Sequence, residues 1–176
     1  MKIIIIGNSG SGKTWLATRL AVRGSATVVH LDHLFWEPDG FDKKRANDEI
    51  ATLIEASKCA PAWIVEGVFG ELAEQYMADA DALIWLDLDW SVCRRRLESR
   101  GSESKAHMDR AQSEAGLKQL IEWAAAYQTR SDQRSFQGHL ELFERFRLDR
   151  IQLRDEGEVI AFLDDIERDG FMAVFK

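Results

Sequence analysis

The run Ile3-Ile4-Ile5-Ile6 is followed at once by Gly7-Asn8-Ser9-Gly10-Ser11-Gly12-Lys13-Thr14, and then by a helical pattern. The octapeptide satisfies G-x-x-x-x-G-K-[ST] at every fixed position. Each fixed residue has a physical reason. Glycines accept backbone angles that other residues resist, so successive N–H groups can curl around phosphate oxygens. A helix beginning near Lys13 aims its positive end at the same oxygens. In such a loop the lysine reaches the β- and γ-phosphates and the hydroxyl after it ligates Mg²⁺. The flanks agree with the motif, with a buried strand before it and an amphipathic helix after it. ATP with Mg²⁺ is therefore the expected ligand pair, held by Gly7 through Thr14.

The remainder of the chain alternates in the same way. Thr14 to Arg23 carries Leu16, Ala17, Leu20 and Ala21 at helical spacing, with Gly24 in the place of a C-terminal glycine. Strands are expected at residues 27–31, 62–65, 82–88 and 150–153. Helices are expected at 42–58, 72–78, 91–100, 113–129, 133–147 and 158–167. The apolar tail, residues 171–176, fits either an edge strand or packing against the core. Strands alternating with helices predict a parallel sheet covered on both faces, a three-layer α/β/α sandwich. The strand ending at Glu66 is expected beside the strand ending at Ile6, giving a five-stranded sheet of order 2-3-1-4-5 with right-handed crossovers.

The chain has 176 residues, which suits one domain spanning 1–176. Hydrophobic residues make up 45%, enough for a core. No apolar run approaches the roughly 18 residues of a membrane span, and Met1-Lys2 with four apolar residues is not a signal-peptide pattern. Cys59 and Cys93 lie far apart without metal-ligand companions, so reduced thiols and a cytoplasmic location are expected. A net charge of −7 disfavours a nucleic-acid partner. Eleven of the fifteen arginines nevertheless fall between Arg94 and Arg154. That stretch is either a local anion site or a set of solvated helices, since nine acidic residues share it.

In open parallel sheets ligands bind beyond the carboxyl ends of the strands. Asp32, Glu66 and Asp87 follow three of the expected strands. Mg²⁺ is usually held through one or two carboxylates plus phosphate oxygens. Asp32 and Glu66 are thus candidates for that shell with Thr14, or for orienting an attacking hydroxyl. The alternative for each is a strand-end or capping carboxylate. Asp87, beside Asp89 and Ser91, reads better as part of a helix cap. His33 is either an acceptor contact or a loop histidine. His30, His107 and His139 have no partners at metal-ligand spacing and receive no role.

Four stretches carry a family likeness: residues 5–14 (Ile-Ile-Gly-Asn-Ser-Gly-Ser-Gly-Lys-Thr), His30 to Pro38 (His-Leu-Asp-His-Leu-Phe-Trp-Glu-Pro), Trp63 to Gly67 (Trp-Ile-Val-Glu-Gly), and 82–101 from Ala-Leu-Ile-Trp-Leu-Asp to Leu-Glu-Ser-Arg-Gly. With them the chain resembles the adenylate-kinase-like P-loop kinases. More narrowly, it is similar to the small DNA topology modulation or adenylate-kinase-related proteins, over about residues 2 to 165. The resemblance implies that Glu66-Gly67 stands where a strand-end Asp-Gly touches the Mg²⁺ shell. It implies that Arg96 and Arg100, four apart on one helix face, meet the transferring phosphates. It implies a lid near residues 101–111, with Arg110, Arg130 and Arg134 as further phosphate-binding candidates. Arginine suits that work because its planar fork grips phosphate oxygens. Two features depart from the family pattern. Glu66 replaces the usual aspartate, and no arginine lies between Arg45 and Arg94 to hold an acceptor phosphate.

The expected function is ATP-dependent, Mg²⁺-dependent phosphoryl transfer, with Lys13, Asp32, Glu66, Arg96 and Arg100 as the catalytic set. The acceptor would be a nucleotide or another small molecule. The acceptor site is expected in an insertion at about 33–61, where Trp36, Phe41, Lys43, Lys44 and Arg45 lie. The alternative is a nucleotide-dependent switch or slow ATPase acting on a protein or DNA partner. A monomer or weak homodimer, with no membrane partner, is expected.

Overall fold

The computed structural model describes residues 1–38, 43–101 and 110–175, without the side chains of 110–113 and 172. Among them, five parallel strands form one sheet of order β2-β3-β1-β4-β5. The strands are β1 (Lys2–Gly7), β2 (Thr27–His30), β3 (Trp63–Gly67), β4 (Ala82–Leu86) and β5 (Asp149–Leu153). The helices are α1 (Lys13–Gly24), α2 (Leu31–Phe35), α3 (Asn47–Lys58), α4 (Gly70–Ala73), α5 (Trp90–Arg100), α6 (Arg110–Ala125), α7 (Phe136–Arg145), α8 (Glu156–Asp169) and α9 (Phe171–Val174).

The expected strand order holds. β1 lies between β3 and β4, with Ile5 opposite Glu66 and Ile6 opposite both Gly67 and Trp85. A central parallel strand is buried on both faces, which is why it reads as continuous isoleucine rather than as alternation. Ile4 and Ile6 join a core with Ile54, Trp63, Leu72, Trp85 and Leu142. Ile3 and Ile5 join the opposite core with Leu16, Leu20, Cys93, Phe162 and Ile166. The sheet is therefore covered by α3, α4 and α7 on one face and by α1, α5 and α8 on the other, the three-layer α/β/α sandwich of nucleoside-monophosphate-kinase-like P-loop proteins.

Several element boundaries differ from expectation for identifiable reasons. β2 stops at His30 rather than Leu31, because Leu31 turns inward over Gly67. A Cβ on Gly67 would lie 2.6 Å from the Leu31 Cβ. Gly24 does not take the left-handed position beyond α1. It is the last helical residue, packed where a Cβ would meet the Met1 Cε at 2.3 Å, and Ser25 takes the left-handed position at φ 49°. The helix expected from residue 42 starts at Asn47. Lys44 pairs with Trp36 in an isolated antiparallel bridge, and Arg45 donates its backbone N–H to the Phe35 carbonyl. The helix expected at 72–78 is α4 followed by a short 3₁₀ turn at Glu74–Tyr76. α7 begins at Phe136, not at residue 133, because Ser135 caps it by accepting the Gly138 N–H. The C-terminal tail makes no edge strand; Phe171, Val174 and Phe175 pack on the α1/α8 core. Among the described residues no helix is long and apolar enough to cross a membrane.

Candidate active site

The loop between β1 and α1 sits at the carboxyl end of the central strand. Gly10 and Gly12 hold φ of 82° and 97°, in the left-handed region that glycine enters without strain. Both are closely covered. A Cβ on Gly10 would lie 2.4 Å from the Cys93 carbonyl oxygen, and one on Gly12 would lie 3.0 Å from Arg96 Nη1. The glycines thus serve both the turn and the packing of α5 over it. Among the described residues Ser11 Oγ is buried without a hydrogen-bond partner. An orphaned hydroxyl inside a phosphate loop fits a ligand oxygen, since a buried unpaired donor costs about 1–3 kcal/mol.

Lys13 is buried, and its Nζ donates to the Asn8 carbonyl at 2.8 Å. Burial pulls its ammonium below the ordinary lysine range, against the charges of Glu66 and Asp32. Thr14 Oγ1 donates to Glu66 Oε1 at 2.9 Å. A hydroxyl whose proton is engaged this way keeps its lone pairs for a cation. His30 Nδ1 lies 2.6 Å from the same Glu66 oxygen. A carboxylate only accepts, so His30 Nδ1 carries the proton. Burial would raise the Glu66 carboxyl, but His30, Lys13 and Thr14 outweigh it and hold the carboxyl below its usual range. His30 is lifted above its ordinary value, mainly by that hydrogen bond.

Asp32 lies on the first turn of α2. Burial lifts its carboxyl above the usual range, opposed by the Lys13 charge. Asp32 and Glu66 both feel Lys13, so the two expected carboxylates converge on the loop lysine. His33 rests beside His30, with ring centroids 4.9 Å apart. Asp89 caps α5 by accepting the Ser91 N–H, whereas Asp87, expected in that cap, accepts from Gln152 Nε2 instead.

On the opposite flank, Arg96 Nη1 donates to the Ser11 carbonyl at 2.7 Å and Nη2 pairs with Glu156 at 2.8 Å. Arg94 turns away to Glu98 on an exposed surface. Arg100 is exposed, yet close enough for its charge to act on Lys13. Arg96 thus lies on the loop-facing side of α5 and Arg94 on its exposed side.

Arg130 and Arg134 lie together in a cleft of about 360 Å³ with Glu71, Trp123, Asp132 and Gln133. Arg134 Nε donates to Glu71 Oε1 at 2.8 Å. Arg130 stacks on Trp123 with its guanidinium carbon 3.8 Å from the ring centroid. Within the expected acceptor insertion, Arg45 is spent on the Leu34 and Trp36 carbonyls and on Glu49. Lys44 bonds Asn47. Phe41 and nearly all of the expected lid at 101–111 lie outside the described residues, as does His107; the Arg110 side chain is likewise not described.

Sequence reasoning missed three participants. His30 meets Glu66 only because β2 and β3 pair in register, His30 opposite Glu66. Glu71 finds its partner 63 residues away. His139, given no role, is fully buried between Tyr127 and the Val68 carbonyl. No short spacing signals any of these.

The residues present fit ATP and Mg²⁺. Among the described residues no group of three or more His, Cys, Asp or Glu side chains forms a metal cage. That suits a cation held by one hydroxyl, one or two carboxylates and phosphate oxygens rather than by protein alone. Thr14 and Glu66 are the residues that would hold it, with Asp32 either in the same shell or on an acceptor hydroxyl.

Residues 3–118 match the AAA domain family. No curated protein matches this sequence. The fold is similar to that of a gluconokinase from Sinorhizobium meliloti, at 14% identity and TM-score 0.50, over 98% of this chain and 96% of that one. It is also similar to a shikimate kinase from Acinetobacter baumannii in complex with shikimate, at 14% identity and TM-score 0.54, over 95% and 90%. Adenylate-kinase-like specificity is not part of what these likenesses carry. The chain is a P-loop nucleoside triphosphatase of nucleotide-kinase-like fold and belongs to the AAA domain family.

Proposed function

We propose that the protein is a Mg²⁺-dependent kinase that transfers the γ-phosphoryl group of ATP to a hydroxyl of a small molecule. The observation that carries this reading is the hydrogen bond of 2.9 Å from the Thr14 hydroxyl, at the end of the phosphate loop, to Glu66 at the end of β3, with Asp32 in the first turn of the helix that follows the neighbouring strand β2. The two carboxylates have opposite characters. Glu66 is held ionised by its partners, while burial lifts Asp32. Divergent carboxyl environments mark divergent roles in acid–base chemistry. Two proteins that share the fold, a gluconokinase and a shikimate kinase by name, lend support.

In this account the loop N–H groups and Lys13 cradle the phosphates. Bound Mg²⁺ would neutralise charge on the β- and γ-oxygens. Glu66 orients the Thr14 hydroxyl toward that cation, and His30 orients Glu66. Asp32 orients the acceptor hydroxyl and takes its proton as the new P–O bond forms and the bond to the bridging oxygen breaks. Arg96 leaves the Ser11 carbonyl for the transferring group, and Arg100 follows as the phosphates draw it in.

The test is transfer of labelled γ-phosphate to a panel of small hydroxyl compounds by the parent and Asp32→Asn. The account expects a labelled product from the parent and at least a ~100-fold lower transfer rate in Asp32→Asn, with ATP affinity retained. Slow release of inorganic phosphate with no labelled product, at equal rates in both proteins, supports the switch or ATPase alternative instead.

A further inference from the structure

We propose that the acceptor subsite beside Glu71 and Arg134 takes an uncharged, hydroxyl-bearing molecule of the sugar or polyol class, and not a phosphate- or carboxylate-bearing one. This rests on the kinase reading for its acceptor and names that acceptor's class.

Location comes first. Phe35 lies on α2, three residues after Asp32, and Phe69 lies two residues after the end of β3. Their rings stack at 4.5 Å. The Arg134 guanidinium sits over both, 4.4 Å from each centroid. Arg134 therefore stands above the carboxyl ends of β2 and β3, beside the candidate base. An arginine in such a place would normally mark an anion site.

Here its charge is already answered. Nε and Nη2 of Arg134 both donate to Glu71 Oε1. The pairing is built into the backbone rather than left to two mobile side chains. Gly70 packs so closely on the segment before α7 that an added Cβ would lie 2.0 Å from the Gln133 carbonyl oxygen. That contact fixes Glu71 against Arg134. The second arginine of the cleft is matched too. Arg130 pairs with Asp132 at 3.5 Å and donates to the Arg134 carbonyl. Among the described residues the cleft wall thus carries two cations and two carboxylates, with no net positive charge. Arg45, the other arginine on this side, is committed to carbonyls and to Glu49. An incoming anion would meet Glu71 and Asp132 as well as the arginines, and part of its attraction would cancel.

The wall also holds unspent polar valence of both kinds. Glu71 Oε2 and Arg130 Nε are buried without hydrogen-bond partners among the described residues. One accepts and the other donates. A hydroxyl does both, so a molecule carrying several hydroxyls complements this wall better than a carboxylate or phosphate, which only accepts. Trp123 lines the same cleft, one face of its ring covered by Arg130.

The test measures binding to protein saturated with a nonhydrolysable ATP analogue and Mg²⁺, so that the phosphate loop is filled. Calorimetry compares glucose and glycerol with inorganic phosphate and gluconate, on the parent, Glu71→Gln and the Glu71→Gln/Arg134→Gln pair. The parent is expected to bind a neutral probe at least tenfold more tightly than either anion. Glu71→Gln, which leaves Arg134 unanswered, is expected to gain at least tenfold for phosphate or gluconate. The double variant is expected to lose that gain. Tighter anion than polyol binding by the parent overturns the proposal, and this arm requires no variant to fold. So does a Glu71→Gln protein with unchanged anion affinity, or a gain that survives removal of Arg134. Failure of the ATP analogue to bind at all sinks the kinase reading alone. The difference between parent and Glu71→Gln, which share one phosphate loop, still decides the character of the cleft.

Discussion

Thr14 and Glu66, separated by 52 residues, are joined by a 2.9 Å hydrogen bond from the threonine hydroxyl to Glu66 Oε1. Parallel pairing of β1 with β3 makes it possible, since Ile5 lies opposite Glu66 and the loop begins two residues beyond. The bond ties the residue proposed to meet the cation to a carboxylate that burial and His30 hold in one orientation.

Glu66→Gln keeps the side-chain volume and removes the charge. The Mg²⁺ concentration needed for half-maximal nucleotide turnover is expected to rise about 10- to 100-fold, the usual cost of losing an outer-shell partner. Titration of activity against Mg²⁺ at fixed nucleotide checks this. An unchanged Mg²⁺ midpoint would reduce Glu66 to a structural carboxylate.

Arg96 already touches the loop through the Ser11 carbonyl, yet its second partner, Glu156, is exposed and exchangeable. Exposed pairs are worth little, about 0–1 kcal/mol, so a bound nucleotide can recruit the guanidinium cheaply. Arg96→Ala is expected to depress single-turnover transfer by a factor of ~10³ or more while ATP affinity changes little, as for an interaction made mainly in the transition state. A rate within twofold of the parent would contradict it.

His139 gives an acid-stability prediction. Its Nε2–H donates to the Val68 carbonyl, so Nδ1 must accept from the Tyr127 hydroxyl, which itself accepts from Trp85 Nε1. Burial pushes the His139 pKa down to about 3, so the folded protein keeps it neutral. The unfolded chain takes up a proton below about pH 6.5, and the folded one does not. Stability is therefore fully present above that value and falls as pH drops toward 3, by up to about 1.4 kcal/mol per pH unit. Melting temperatures of parent and His139→Gln between pH 7 and 4 test it. The variant is expected to start lower and to fall less steeply. Parallel curves would show that His139 does not set the acid slope.

The parts of the fold legible in the sequence are those written locally. Ile3 to Ile6 announces a strand buried on both faces, and Gly7 to Thr14 announces the loop, because its chemistry is contained in eight consecutive residues. A parallel sheet followed from alternation, and its strand order from the resemblance to P-loop kinases. What escaped needs register or distant contact. His30 reaches Glu66 only across paired strands, and Arg134 reaches Glu71 only once α7 docks on α4. Gly24 resembles a helix stop by residue type, but it is a packing glycine beneath Met1. Arg134, over Phe35 and Phe69, likewise comes from beyond α6 and pairs with Glu71.

The most direct test of the central claim is calorimetric ATP binding by the parent and Lys13→Ala, with circular dichroism to follow the fold. Lys13 is buried against ligand-facing groups, with its Nζ on the Asn8 carbonyl and not within either apolar core. The account predicts that the parent binds ATP with Mg²⁺, and that Lys13→Ala keeps its melting transition but loses at least ~100-fold in affinity, as a lost pair of charge-assisted hydrogen bonds would produce. Equal ATP affinity in the two proteins would contradict it.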